Sequence, residues 1–251
     1  MKTIKNTFLL AFMLCFVSSV SFAQKMYQVH QDNVNPSMLM EYEKVAKNFN
    51  AACVEHNLQS SWLTVMMDDF TFLYVTPMES FADLDKRPFA DMAKAMGDDF
   101  GKMFDAFDKC YDSHGTYTIT LDEDLTYMPD GIDPSTEGQD YRNFYYIHFT
   151  PQNEKNLRDA MKEVKQMFAD KGSKNHYRVY RTGFGVMDSY YMVAMSSKDP
   201  VDSAQKTKTN EELLGPERYE TFNKVLMAAS NMEEVTGQIR RDLSYASKKE
   251  E

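Results

Sequence analysis

The segment Tyr-Gln-Val-His at residues 27–30 returns 118 residues later as Tyr-Tyr-Ile-His at residues 145–148. At the same spacing, Asp-Leu-Thr-Tyr at residues 124–127 returns as Asp-Leu-Ser-Tyr at residues 242–245. Two pairs of segments that lie far apart and keep one offset predict a duplicated unit. We therefore expect two similar folded halves that pack as a pair.

The order of secondary-structure elements is predicted to be the same in both halves. Apolar residues at steps of three and four predict one helix from Pro36 to His56 and another after Pro151. A short strand precedes each helix, and two strand-like runs joined by a turn follow it. A second helical region, Leu213 to Ala229 in the later half, and a final strand complete each unit. This β-α-β-β-α-β order is the ferredoxin-like arrangement.

The predicted fold class is α+β, with two ferredoxin-like repeats whose antiparallel sheets pack face to face as a pseudo-two-fold α/β barrel. The repeats are expected at residues 24–128 and 143–246. Glycine and proline residues mark a linker at residues 129–142. A signal peptide at residues 1–23 and a charged tail at residues 247–251 complete the predicted organisation.

The first residues have the layout of a cleavable secretory signal. Lys2 and Lys5 precede an apolar run from Phe8 to Val20, and small residues lead up to a cleavage site after Ala23. The apolar run is too short for a transmembrane helix. We expect an exported protein, periplasmic or secreted, that is not inserted into a membrane.

The charge of the chain argues against nucleic acid as a partner. The formal net charge is −10, and removal of the two leader lysines would make it −12. Binding to phosphate backbones depends on clustered lysine and arginine residues, which such an acidic chain does not favour.

The two halves carry opposite charges at one pair of matching segments. Residues 122–124 read Asp-Glu-Asp, whereas residues 240–242 read Arg-Arg-Asp. A seam of salt bridges between the halves and a functional cluster both fit this pattern.

The duplicated β-α-β-β-α-β order resembles the dimeric α/β-barrel superfamily. This group includes small antibiotic-biosynthesis-type monooxygenases, NIPSNAP-like proteins and, in duplicated form, chlorite dismutase-like haem proteins. The resemblance implies two four-stranded sheets that close into a barrel with the helices outside. It covers roughly the whole mature chain and rests on element order and duplication, with no catalytic motif to carry over.

Strand alternation divides the predicted sheet residues into two faces. One face is aliphatic, as at Val29, Val65, Ile147 and Val179, and is expected to lie under the helices. The other face is both aromatic and polar and is expected to line the barrel interior. Its candidate ligand-binding residues are His30, Trp62, Tyr74, Tyr146, His148, Arg178, Tyr180 and Arg240.

Such an interior suits a small aromatic or weakly anionic organic ligand, because the rings stack and the arginines offer charge. The alternative, slightly favoured, is a filled and hydrogen-bonded wall without a cavity, since small barrels are often packed by their own side chains.

The sequence carries no motif for a metal site or for nucleophilic catalysis. It has no Cys-x-x-Cys, no His-x-x-x-His and no Gly-x-Ser-x-Gly. No metal and no cofactor are therefore predicted. Haem held by His30 or His148 is the alternative, and histidines in a hydrogen-bonded wall are favoured over it. Cys53 and Cys110 are predicted to stay unpaired, because antiparallel helices place them at opposite ends.

These observations favour an exported protein without classical catalysis that binds a small organic ligand or acts as an interaction module. The alternative function is a monooxygenase-like or haem-dependent enzyme of the dimeric α/β-barrel type. In the alternative, His30 or His148 would act as a proton shuttle or as a ligand.

Overall fold

The computed structural model describes residues 25–133 and 136–247. The predicted signal peptide, its cleavage site after Ala23 and residues 248–251 of the predicted tail lie outside the described residues. Among the helices that are described, none combines the length and the apolar character needed to cross a membrane.

The first half begins with strand β1 and ends with strand β4. Its elements are β1 Met26–Val34, α1 Leu39–Glu55, β2 Ser61–Met67, β3 Thr71–Met78, α2 Ala90–Met96, α3 Asp98–Phe107 and β4 Tyr111–Leu121. Short 3-10 helices at Pro36–Met38 and Phe81–Asp85 precede α1 and α2.

The second half has four barrel strands in the same succession, followed by one short additional strand. Its elements are β5 Tyr141–His148, α4 Glu154–Asp170, β6 Tyr177–Thr182, β7 Tyr190–Ser197, α5 Pro200–Leu214, α6 Arg218–Ala228, β8 Asn231–Ile239 and the short β9 Tyr245–Ala246.

The second helical region of each half consists of two helices. Gly97 has a φ of 58° between α2 and α3, and Gly215 has a φ of 73° between α5 and α6, so glycine breaks both regions. The sequence prediction of Leu213 to Ala229 matches α6 and misses α5. Helix α5 is mostly polar and starts from a cap, because the Asp199 side chain accepts a hydrogen bond from the Asp202 amide beside Pro200.

Eight strands form one closed antiparallel barrel. Their order is β2-β3-β1-β4 for the first half and β6-β7-β5-β8 for the second half. The halves join through β4–β6 and β2–β8, where Thr120 faces Arg181 and Met66 faces Gln238. Each of the eight strands therefore has a neighbour on both sides, and the two four-stranded segments face each other across one barrel.

Strand residues from both halves fill the barrel interior. The buried cluster consists of Val29, Val65, Met67, Leu73, Ile119, Leu121, Phe144, Tyr180, Tyr190, Met192, Ala194 and Ile239. No helix contributes to this cluster among the described residues, which places it inside the barrel.

The predicted sheet faces are correct for β5, β6 and β7 of the second half and wrong in the first half. They are also wrong for β8, where Ile239 was expected under the helices and belongs to the interior cluster. Ile147 and Val179 lie under α4, α5 and α6, as expected. In the first half, however, Val29 belongs to the interior cluster, whereas Trp62 and Tyr74 pack beneath the helices. The polar and aromatic face of the first half therefore looks outward, toward α1 and α3.

The error at β1 comes from the offset between the halves. The buried residues of α1 include Tyr42, Val45, Ala46 and Cys53, and those of α4 include Leu157, Ala160, Met161 and Phe168. Each pair is 115 residues apart, as are the interior residues Val29 and Phe144. The offset of 118 differs from 115 by an odd number, so it exchanges the two faces of β1 relative to β5.

The offset of 118 does hold for the two segments that follow the last barrel strand of each half. Each of these segments packs on the opposite half of the molecule. Leu125 and Tyr127 pack with the helices of the second half, whereas Leu243 and Tyr245 pack with α1. The Tyr245 hydroxyl lies within hydrogen-bond distance of the carbonyl oxygens of Cys53 (3.1 Å) and Leu58 (2.9 Å). This crossover ties the two halves together.

Cys53 and Cys110 are both buried free thiols, which confirms that they do not pair.

Candidate functional site

Each half has a pocket between its strands and its helices. The first-half pocket has a volume of about 280 Å³ and is lined by residues that include His30, Asp32, Phe49, Trp62, Tyr74 and Phe104. The second-half pocket has a volume of about 270 Å³ and is lined by residues that include Tyr145, Met161, Phe168, Tyr177, Val193 and Leu214. The first pocket is the more polar, and it contains three of the candidate residues.

Aromatic rings form one wall of the first-half pocket. The Phe49 ring on α1 lies 6.0 Å from Trp62 and 5.7 Å from Phe104, measured between ring centroids. The crossover segment holds Trp62 in place, because the indole Nε1 donates to the Leu243 carbonyl oxygen at 3.1 Å and the ring stacks on Tyr245. This wall is suited to a planar aromatic ligand.

A chain of hydrogen bonds forms the polar part of the first-half pocket. The Tyr42 hydroxyl donates to Asp32 Oδ2 at 2.6 Å, and the Tyr74 hydroxyl lies 2.8 Å from the Tyr42 hydroxyl. Because Tyr42 gives its proton to the carboxylate, its oxygen accepts from Tyr74. The chain therefore points from Tyr74, which lines the pocket, toward Asp32, which is only 3% exposed.

Burial keeps both phenols of this chain neutral. It raises the pKa of Tyr42 well above its ordinary value, and the nearby Tyr74 and the Asp32 carboxylate raise it further. Burial also raises the pKa of Tyr74, while its hydrogen bond with Tyr42 acts in the opposite direction. Neutral phenols donate hydrogen bonds to a carboxylate and stabilise its charge.

Two histidines lie beside Asp32. His30 Nε2 is 3.1 Å from Asp32 Oδ1, and His30 Nδ1 is 3.0 Å from Thr116 Oγ1. His114 lies directly opposite Asp32 on β4, and its ring is 5.5 Å from the His30 ring. One donor atom from each of His30, Asp32 and His114 lies within 4.8 Å of the others.

Sequence reasoning missed this cluster of histidines and a carboxylate. The available signal is the order His30-Gln31-Asp32, since residues two apart share one face of a strand. His114 joins them only because β1 and β4 pair in this register.

The structure divides the predicted ligand-binding residues among three places. His30, Trp62 and Tyr74 line the first-half pocket. Arg240 lies on the surface seam, where it pairs with Glu43 and Asp242.

The other four candidates lie on the inner face of the second half. The rings of Tyr146 and His148 lie 5.1 Å and 5.3 Å from Tyr190, a member of the interior cluster. Tyr180 belongs to that cluster, and Arg178 shares its strand face and donates to Ser196 Oγ at 3.1 Å. Ligand binding by these eight residues stays a prediction. Of the eight, His30, Trp62 and Tyr74 line one of the two pockets together, and the other five line neither.

The sequence matches no protein-family model and no curated protein. The fold is similar to solved structures. An anthrone oxidase-like protein superposes with a TM-score of 0.55 at 14% identity, covering 88% of this chain and 93% of that one. A monooxygenase-like protein from Fusobacterium nucleatum gives a TM-score of 0.55 at 11% identity, with coverage of 87% and 93%. A chlorite dismutase variant from Candidatus Nitrospira defluvii gives 0.51 at 8% identity, with coverage of 86% and 92%.

The chain has the dimeric α/β-barrel fold. At these identities the similarity concerns the fold, so the activity of this dimeric α/β-barrel protein has to be argued from its own residues.

Neither of the two pockets fits a haem group, and His148, the other histidine considered as a haem ligand, lines neither of them. A haem needs an axial ligand such as an imidazole. In the first-half pocket, His30 Nε2 lies 3.1 Å from Asp32 Oδ1, so the carboxylate stands on the side of the ring from which a haem iron would have to approach. The described residues that line the second-half pocket include neither histidine nor cysteine. No step through haem is therefore derived for this dimeric α/β-barrel protein.

Proposed function

We propose that the protein is a monooxygenase-like enzyme that binds a small phenolic aromatic compound in the first-half pocket. The observation that carries this proposal is the chain Tyr74–Tyr42–Asp32, which leads from the aromatic wall to a buried carboxylate. Similarity of fold to an anthrone oxidase-like protein and to a monooxygenase-like protein supports the same class of reaction.

The size and lining of the pocket select the substrate class. A volume of about 280 Å³ lies at the lower end of small-molecule sites, which are typically about 300–1,000 Å³. The rings of Phe49, Trp62 and Phe104 offer stacking surfaces to a flat ligand. The Tyr74 oxygen, whose proton is directed at Tyr42, is left to accept a hydrogen bond from a ligand hydroxyl.

The direction of the hydrogen bonds defines the role of each residue. A proton that leaves a phenolic ligand passes to Tyr74, the Tyr74 proton passes to Tyr42, and the Tyr42 proton passes to Asp32 Oδ2. The ligand becomes an electron-rich phenolate, and Asp32 becomes neutral. Such an anion is oxidised by dioxygen, which we name as the co-substrate.

In 1,8-dihydroxyanthrone the reacting phenol is the 9-hydroxy enol tautomer, which forms when one C10 proton moves to the C9 oxygen. Its anion forms a C10–O bond with O₂, and the proton held by Asp32 returns to the resulting peroxide. Cleavage of the second C10–H bond and of the O–O bond then releases one water and 1,8-dihydroxyanthraquinone, so that one O₂ is consumed.

The test uses 1,8-dihydroxyanthrone as the probe, with the mature chain that starts at Gln24. We expect oxygen uptake and quinone absorbance to appear together, faster than in buffer. Tyr42→Phe interrupts the hydrogen-bond chain from Tyr74 to Asp32. It is expected to lower the oxidation rate by roughly 100-fold, which is the smallest effect typical of losing general acid–base catalysis. Tyr177→Phe, which changes a buried tyrosine of the second-half pocket, is the matched control and is expected to keep the rate.

Two results would overturn the proposed activity. The first is a rate equal to that in buffer, and the second is an equal rate in wild type and Tyr42→Phe. Quenching of Trp62 fluorescence without oxygen uptake would instead identify a binding protein that does not turn over its ligand.

Export and duplication belong to the same proposal. A signal peptide at residues 1–23 is proposed to be cleaved during export. The mature protein is proposed to consist of two ferredoxin-like repeats, at residues 24–128 and 143–246. The equal strand orders β2-β3-β1-β4 and β6-β7-β5-β8 support the duplication. The mass of the protein recovered from the exported fraction tests cleavage, and a mass that includes residues 1–23 would contradict it.

A further inference from the structure

We propose that His30, Asp32 and His114 bind one divalent ion of the first transition series at the rim of the first-half pocket. The proposal concerns binding of the ion alone, so it does not depend on turnover of an organic substrate.

The sheet register brings the three side chains to one face. On β1, His30 and Asp32 are two residues apart and therefore point to the same side. Asp32 pairs with His114 of β4, and His30 pairs with Thr116, so His114 is added on that side as the cross-strand neighbour. A site built on two paired strands is rigid, which favours defined coordination.

The distances suit a single ion. One donor atom of each residue lies within 4.8 Å of the other two. Bonds of about 2.0–2.2 Å to imidazole nitrogen and carboxylate oxygen bring such atoms to roughly 3–4 Å from one another, which small side-chain rotations supply here. His114 is exposed and His30 is partly exposed, so an ion can enter from solvent.

The strongest indication is an unsatisfied oxygen on Asp32. Tyr42 donates to Asp32 Oδ2, whereas the buried Asp32 Oδ1 accepts no hydrogen bond from the described residues. His30 Nε2 lies 3.1 Å from this oxygen without the geometry of a hydrogen bond. A buried carboxylate oxygen without a partner costs free energy, and a bound cation removes that cost.

The surrounding contacts have the form of outer-shell support for a metal. Hydrogen bonding of His30 Nδ1 to Thr116 allows the tautomer in which Nε2 keeps its lone pair for the ion. The Tyr42 hydrogen bond orients the carboxylate and occupies Oδ2, which leaves Oδ1 for the ion.

The ligand types select the class of ion. Two imidazoles and one carboxylate suit zinc, iron, cobalt or nickel, and they leave coordination positions open. Calcium and magnesium prefer oxygen ligands throughout, so neither is expected to bind.

The experiment is calorimetric titration of Zn²⁺ into the mature chain, prepared without a polyhistidine tag and stripped with a chelator. One ion per chain is expected, with Co²⁺ giving visible d–d absorption from the same site and Mg²⁺ giving no heat. Asp32→Asn and His114→Ala are each expected to weaken Zn²⁺ binding by at least tenfold.

The control is His148→Ala, which removes the histidine that lies 3.7 Å from Glu233 on the other half and should leave Zn²⁺ affinity unchanged. Because Asp32 is buried, Asp32→Asn can fail to fold, and His114→Ala then decides the question on an exposed residue. Absence of Zn²⁺ binding, or equal affinity in wild type and His114→Ala, overturns the proposal. Neither result bears on oxidation of 1,8-dihydroxyanthrone, which is measured without added metal.

Discussion

Glu43 of α1 and Arg158 of α4 lie at matching positions in the two halves and carry opposite charges. Arg158 pairs with Asp122, which follows β4, and Glu43 pairs with Arg240, which follows β8. The charges of Asp122 and Arg240 are reversed in the same way. If the segment after β4 packed on α1 instead, Asp122 would meet Glu43. The reversed charges therefore favour packing of each segment on the opposite half over packing on its own half. The opposite charges at residues 122–124 and 240–242 belong to salt bridges between the halves.

Acidification is expected to weaken this seam. The hydrogen bond from Arg240 holds the pKa of Glu43 below its usual range, and Arg240 likewise lowers the pKa of Asp242. Because both folded pKa values are depressed, their stabilisation is complete above the unfolded values of about 4 and is lost as the pH falls through the folded values.

Arg240→Gln tests this dependence on pH. The variant should lower the free energy of unfolding at pH 7 by about 1–3 kcal/mol, between the values for exposed and buried pairs, and its loss of stability between pH 5 and 3 should be smaller than in wild type. Urea titrations at each pH measure both effects. Lys102→Gln, in the exposed pair with Asp99, is the control. Parallel curves for wild type and Arg240→Gln would contradict the expectation.

The crossover tyrosines are expected to contribute unequally to stability. Tyr245→Phe leaves the Cys53 and Leu58 carbonyls without this donor, whereas Tyr127→Phe removes only the bond to the Ser173 carbonyl. A net cost of about 1–2 kcal/mol is expected for Tyr245→Phe and about 1 kcal/mol or less for Tyr127→Phe. Chemical denaturation measures the free energy of unfolding of both variants. A larger decrease for Tyr127→Phe than for Tyr245→Phe would contradict this prediction.

The β2–β8 seam is expected to reject a side chain at Gly237. A Cβ there would lie 2.5 Å from the Met66 carbonyl oxygen and 3.0 Å from the Met67 Cα, both backbone atoms. Gly237→Ala should therefore destabilise the barrel by about 1–3 kcal/mol or more. Gly115→Ala on β4 meets no described atom within 4 Å and serves as the matched control. Equal melting temperatures for the two variants would show that the seam has room.

The two buried thiols are expected to react only after unfolding. Burial raises the pKa of Cys53 to about 12 and also raises the pKa of Cys110, so both remain protonated at neutral pH. Ellman's reagent should detect two thiols per mature chain in denaturant and close to none in the native protein. Rapid native labelling would contradict their burial, and no thiols in unreduced denatured protein would mean a disulfide.

Element order was predictable because it depends on local periodicity. The helix at Pro36 to His56 and the helix after Pro151 both form, and each half has its four barrel strands. Helix α5 was missed, since its exposed polar sequence has a weak apolar stripe and its start depends on the Asp199 cap.

The candidate site was predicted in part. His30, Trp62 and Tyr74 were selected because they share a face that is both aromatic and polar, and they do meet in one pocket. The pocket lies under α1 and α3, however, and not inside the barrel. Asp32 and Tyr42 were not selected, because a buried carboxylate becomes conspicuous only when its partners are known.

The sequence by itself determined the succession of the barrel strands, the first helix of each half and the opposite charges at the seam. Only the tertiary structure decided which face of each strand looks inward and which distant residues meet. The physical reason is the two-residue period of a strand: an odd shift in alignment exchanges its faces. His114 likewise reaches Asp32 through strand pairing, which no local pattern encodes.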